Sequence, residues 1–298
     1  MMPLRKKFRL MRLYTSSLLQ NSRNTDAFGS IETYCMFVGY PRSGHSLIGS
    51  LLDAHPNIVI AQETDVLKLF KHRFNRRQVF HLLLESSRRL ATAGRSNTGY
   101  SYKVPNQWQG RFEQLQVLGD TSTSSQNIYR DPGLIDYVRN KIATEIKFIH
   151  VIRNPYDVVT TMARNSPRKS LDMNIDLFFQ FCSSVDRLKK KIPPTQIHDL
   201  RLESFIDDPK PHLKDLCGFL GAEPESRYLE DCASIVFKSA KKSRADIDWN
   251  PGSIAKVRER MQEFSFLSGY TYDEANATCT ALGPAAGKNR GSVDQATQ

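Results

Sequence analysis

The chain has 298 residues, enough for one large α/β domain with its own core but barely for two. Its apolar fraction of 40% and charged fraction of 24% are those of a globular protein, which excludes wholesale disorder. The net charge is +11, and no stretch approaches the roughly 18 to 20 uninterrupted apolar residues of a membrane-spanning helix.

The first segment is basic. Arg5, Lys6, Lys7, Arg9, Arg12 and Arg23 precede the first acidic residue, Asp26, and residues 1–29 carry no apolar period, so they read as a tail. Arginine and serine without acid fit an organelle transit segment as well as a solvated tail. The rest is mildly basic, as suits a protein that holds a polyanion. A nucleic-acid binder would show a basic stripe interleaved with aromatics. The nearest candidate, Lys71–Arg77, reads as a solvated helix face, and no nucleic-acid partner is expected.

A first strand, Tyr34–Val38, feeds Gly39-Tyr-Pro-Arg-Ser-Gly44, and a helix opens at Gly44 with Leu47, Ile48, Leu51 and Leu52 on one face. Strand, glycine loop and helix N-terminus in this order gather backbone N–H groups around one point and aim a positive dipole end at it. That is a cradle for a phosphate-like anion. The nucleotide-hydrolase version continues Gly-Lys-Ser/Thr. Here His45 and Ser46 follow Gly44, and the nearest cation is Arg42. The loop therefore reads as an anion site without the standard apparatus for splitting ATP.

A short strand at Ile58–Ile60 comes next, then helices at Val66–Phe74 and Gln78–Leu90 and a loop at Ala93–Asn97. A possible strand at Tyr100–Val104 and another at Leu115–Leu118 precede Gly119-Asp120, and Leu134–Lys141 is helical. Glu145–Ile152 is a second apolar strand running into a helix start, with Asn154 as N-cap and Pro155 in the first helical position. Arg153 stands at the strand's C-terminal end, the edge where open α/β sheets bind ligands, and Thr161 lies two turns further on. This makes a second anion site.

A long amphipathic helix over Leu171–Lys191 is followed by a strand at Ile197–Leu202 and a helix at Pro211–Leu220 closed by Gly221. A polar, basic loop at Ala240–Asp248 leads to the last helix, Gly252–Phe264. Strands alternating with helices predict an α/β fold, a mostly parallel sheet with helices on both faces. The domain spans 30–273, with a disordered tail over 274–298. The five cysteines show no metal-binding spacing and no disulfide framework, so no metal is expected; Cys35, Cys182 and Cys217 read as buried thiols in a reducing compartment, the cytoplasm.

Pro41-Arg-Ser-Gly-His-Ser46 and Arg153-Asn-Pro155 together resemble the two nucleotide motifs of sulfotransferases that use the sulfuryl donor PAPS. In that family the first motif holds the 5′-phosphosulfate and the second, with a serine two turns later, the 3′-phosphate. Here His45 replaces a hydroxyl residue and Thr161 replaces the serine. Leu51–Ile58, Leu200–Pro209 and Phe219-Leu-Gly221 extend the similarity, which near the loop is to Golgi-type, bacterial and protein-tyrosine sulfotransferases. The resemblance implies the P-loop-like sulfotransferase fold, PAPS as co-substrate without a metal, and a small-molecule or carbohydrate acceptor. It implies donor binding by Arg42, Ser43, Gly44, His45, Ser46, Arg153 and Thr161, and a late basic segment, here with Lys241, Lys242 and Arg244, closing over the nucleotide.

Gln62-Glu63-Thr64-Asp65 is similar to the Glu-Glu-Thr-Arg segment that supplies the catalytic glutamate of protein-tyrosine sulfotransferases, which makes Glu63 the expected general base. Asp65 stands where the arginine would be, which counts against a tyrosine peptide as acceptor. His45 is the rival base, because imidazole titrates near neutrality. Lys103 is the candidate cation for the leaving oxygen, since Thr121 and Ser122 follow Gly119-Asp120 where many relatives carry a lysine. Trp249 reads as a core anchor. Two other readings stay open at this point: a P-loop kinase-like enzyme, and a nonenzymatic basic protein that binds polyanions.

Overall fold

The computed structural model describes residues 13–15, 17, 26–97, 99–122, 133–166 and 168–273. Its strands in chain order are β1 (Thr33–Val38), β2 (Ile58–Ala61), β3 (Ser96–Asn97), β4 (Tyr100–Ser101), β5 (Val117–Asp120), β6 (Glu145–Ile152) and β7 (Ile197–Arg201). Helices are α1 (His45–Leu52), α2 (Val66–Lys71), α3 (Arg76–Thr92), α4 (Gly133–Ile142), α5 (Pro155–Arg164) and α6 (Leu171–Lys189). They continue with α7 (Leu202–Asp207), α8 (Pro209–Leu220), α9 (Ser226–Ser234) and α10 (Pro251–Met261).

A parallel sheet runs in the order β2-β5-β1-β6-β7, and β3 and β4 form a small antiparallel pair beside it. The fold is thus the expected α/β architecture. β1 is buried throughout because both of its faces are covered. Cys35 and Phe37 pack on the face of α1, α7, α8 and α9, while Tyr34, Met36 and Val38 pack on that of α2, α3 and α4. A third cluster, with Tyr40 and Ile152, gathers α5, α6 and α10. β1 connects to β2 on one side and β6 to β7 on the other, so the order reverses at β1, where its C-terminal end opens a crevice.

Several boundaries differ from the sequence reading. The third strand of the sheet is Val117–Asp120 instead of Leu115–Leu118; Gly119-Asp120, expected to follow the strand, pairs with Cys35-Met36 on one side and Ile60-Ala61 on the other. The helix expected to reach Phe74 stops at Lys71, because Arg73 is left-handed and Asn75 caps α3 through a capping box with Gln78. Lys71–Arg77 is therefore a corner with Phe74 buried inside it. Ser96–Asn97 pairs with Tyr100–Ser101, so the expected loop holds half of a hairpin and the expected strand is only two residues long.

Helices α7 and α9 were not expected. The first has six residues, and the second buries only Tyr228 and Cys232, too sparse a stripe to read. Asp53, just after α1, is buried and accepts from Ile60 N, Ser87, Gly110 N and Arg95, whose guanidinium is buried with it. That network ties the loop helix to β2 and α3. A lone buried aspartate would be costly; four donors offset its desolvation.

In the leading segment, Leu13 packs against the core, Tyr14 meets Phe74 edge-on at 5.2 Å, and Ser17 accepts from the Gln78 amide. Phe28 is buried against Phe80. Cys35, Cys182, Cys217 and Cys232 are buried free thiols; Cys279 and the tail from 274 lie outside the described residues. Among the described residues no helix is long and apolar enough to cross a membrane.

Candidate active site

The loop after β1 is shaped by three positive φ angles, 126° at Gly39, 70° at Arg42 and 108° at Gly44. Gly44 caps α1, and its carbonyl accepts from Leu47 and Ile48. A side chain there would meet Leu202 at 2.7 Å as well as strain the backbone. Ser43 is buried and its hydroxyl donates to the Tyr40 carbonyl, so its side chain braces the loop from within. Ser46 accepts from the Gln62 amide at 3.1 Å. His45 is buried, with its ring edge-on to Phe37 and its Nε2 without a hydrogen-bond partner. Burial, reinforced by His150, lowers its pKa to about 4. The rival base therefore lies under the loop and is neutral at working pH.

Arg153 joins the two expected anion sites. Its Nη1 donates to the Arg42 carbonyl at 3.0 Å, and its Nη2 donates to the Lys241 carbonyl at 2.7 Å and to Ser243 at 3.3 Å. Its own N–H reaches the Tyr40 hydroxyl. One guanidinium thus draws the phosphate loop and the late basic segment to the C-terminal end of β6. Beside it α5 starts as its sequence dictates: Asn154 accepts from Tyr156 N and Pro155 follows. Thr161 is half-buried and donates its hydroxyl to the Asp157 carbonyl. Asp157 accepts from the Arg244 N–H at 2.8 Å, and its carboxylate lies 3.5 Å from the buried Arg244 side chain. Lys241 pairs with Asp246 at 3.1 Å. Trp249 donates to Thr160 and packs edge-on to Tyr156 and Tyr272, on the core side.

Glu63 is exposed on the turn after β2, at φ 53°. Its neighbours hold it. Gln62 reaches Ser46 of the loop, and Thr64 N donates to Asp120 Oδ1 at 3.2 Å. Asp120, at the end of β5, also accepts from Ser122 N and leaves its buried Oδ2 without a partner. Burial raises its pKa to about 7 against the lowering effect of those N–H groups. Beside Glu63 a polar groove of about 320 Å³ is lined by Gln62, Ser86, Arg89, Leu90 and Ser96. Lys103 is exposed, and no hydrogen bond or ion pair joins it to the loop among the described residues. Asp120 and Gln62 are the members of this site that sequence reasoning did not assign; the end position of Asp120 on a strand was the available signal.

The arrangement brings the Arg42 loop and Arg153 together at one sheet edge, with the Glu63 carboxylate beside an adjoining groove. A model of the sulfotransferase family matches residues 36–226. No curated protein matches the sequence. Among solved structures the chain is similar to the sulfotransferase domain from the curacin biosynthetic pathway, at 13% identity over 78% of this chain and 97% of that one, with a TM-score of 0.51. The sulfotransferase domain of the Synechococcus PCC 7002 olefin synthase is 17% identical, covering 77% and 88%, with a TM-score of 0.48. Mouse sulfotransferase SULT7A1, complexed with PAP, is 12% identical, covering 82% and 90%, with a TM-score of 0.44.

Proposed function

Because the chain belongs to the sulfotransferase family, we propose that it transfers a sulfuryl group from PAPS to a hydroxyl or amine of a small molecule or carbohydrate. The observation that carries this reading is Arg153, whose guanidinium links the Arg42 loop to the Lys241–Ser243 segment at the C-terminal end of β6. Arg42 and the loop amides take the charge that develops on the leaving phosphate, the part of sulfuryl transfer most like phosphoryl transfer. Ser46 and Gln62 border the same point. Arg153, with Thr161 at the next turns of α5, takes the 3′-phosphate; Thr161 does so by giving up its bond to Asp157. Glu63 takes the proton from the acceptor, whose oxygen or nitrogen then bonds to sulfur as the bond to the phosphate oxygen breaks. Glu63 is preferred to His45 because its carboxylate is exposed at the groove while the imidazole is buried. The domain over 30–273 carries all of these groups.

Ligand-dependent melting tests the reading. PAP should raise Tm and Mg-ATP should not, by the linkage between ligand binding and stability. Stabilisation by Mg-ATP with none by PAP would overturn it in favour of a kinase-like enzyme.

A further inference from the structure

Beneath the phosphate loop two imidazoles share one small space. His45 Nε2 lies 3.6 Å and His150 Nε2 3.7 Å from the point where a side chain on Gly39 would begin. Both rings are buried, and neither Nε2 has a hydrogen-bond partner among the described residues. His150 Nδ1 lies 3.0 Å from Asp199 Oδ1, and a carboxylate only accepts, so this nitrogen carries the proton and His150 Nε2 is an acceptor. Two buried ring nitrogens, neither with a partner among the described residues, thus border the same space under Gly39.

One proton taken up by the pair would give it a single positive charge. Its charge would sit under the cradle, balanced from below by Asp199, which also accepts from Lys189 at 2.5 Å. Lys189 opposes a charge on His150; the Tyr40 ring lies 6.0 Å from His150 and stays neutral because burial raises its pKa, and Phe37 and Phe266 pack edge-on against the two imidazoles. The Tyr40 hydroxyl accepts in turn from the Arg153 N–H. The anion-free pair is neutral, since burial lowers the pKa of both rings. An anion in the loop adds the missing counter-charge in a low-dielectric setting, where it counts most.

We propose that the His45–His150 pair is part of the donor site and takes up one proton when an anion occupies the phosphate loop. The substitution of a hydroxyl residue by His45 is thus matched by a partner on the neighbouring strand and a carboxylate behind it. His150 acts through His45 as a positioning residue that supplies charge only to the occupied loop. This rests on the reading of the loop as the donor's anion cradle.

Calorimetry separates the two. Adenosine 5′-phosphosulfate, whose anionic groups stay ionised around neutrality, is titrated into the full chain in two buffers of different ionisation enthalpy. The expected result is uptake of about half a proton or more per ligand, with affinity rising by up to about tenfold for each unit fall in pH around neutrality. His150→Phe should bind without that uptake and with a flatter pH profile. Binding by the unaltered protein without proton uptake would overturn the proposal and point to a water molecule bridging the two nitrogens. No binding of either this ligand or PAP would instead refute the cradle itself. The wild-type pH profile decides the matter even where His150→Phe does not fold.

Discussion

Glu63 and Asp120 are two carboxylates in opposite situations, one exposed at a groove and one buried at a strand end. Glu63→Gln keeps size and one acceptor oxygen but cannot take a proton, so turnover should fall by about 10²- to 10⁴-fold while PAP still stabilises the fold. Near-normal turnover with a competent acceptor would remove Glu63 as base. Asp120 makes a prediction about pH. Its pKa in the fold, about 7, lies above the ordinary value near 3.8, so the folded state binds the proton more tightly than the unfolded chain does. Stability is then lost as pH rises from about 4 to about 7, by an amount on the order of a few kcal/mol. Asp120→Asn retains an acceptor for Thr64 N and Ser122 N but cannot ionise. The Tm of the wild type should therefore drop relative to that of the variant across this range, and parallel curves would show that Asp120 does not titrate there.

The elements differ in how legible they were. β1, the loop and α1, and β6 with α5, follow from local rules: continuous apolar strands, glycines where φ is positive, Asn154 and Pro155 at a helix start. The loop glycines and Arg42 were readable for the same reason. What was not readable depends on contacts distant in sequence. Asp120 holds Thr64 across 56 positions, Arg153 reaches Lys241 across 88, and His150 meets Asp199 across 49. Arg153 carries the consequence at this scale, because its fork spans two loops in a way that a lysine's single charge cannot. Arg153→Lys and Arg153→Ala should both weaken PAP binding. Arg153→Ala should bind adenosine 5′-phosphosulfate relatively better than the wild type does, because the discrimination for the 3′-phosphate is lost. An unchanged preference in competition titrations would reject the assignment of Arg153 to that phosphate.

For the whole molecule, the leading segment is where the fold departs most from its composition. Basic and weakly patterned, it still places Leu13, Tyr14, Ser17 and Phe28 on the domain. Deleting residues 1–28 should lower Tm substantially, since removing a buried phenylalanine alone costs about 3 to 5 kcal/mol, while the PAP-induced rise in Tm persists. An unchanged Tm would show that the contacts of Leu13, Tyr14, Ser17 and Phe28 add nothing to stability. The buried thiols bear on how such changes can be followed. Cys35, Cys182, Cys217 and Cys232 are spread over β1, α6, α8 and α9 and so sample two of the three core clusters. Burial holds each in the unreactive thiol form, Cys217 with a pKa pushed up to about 12. An alkylating reagent therefore has to wait for the chain to open. Counted by mass, the adducts at these four positions become a clock for unfolding, and the order in which they appear tells whether the cluster around α1 and α8 or the one around α5 and α6 opens first.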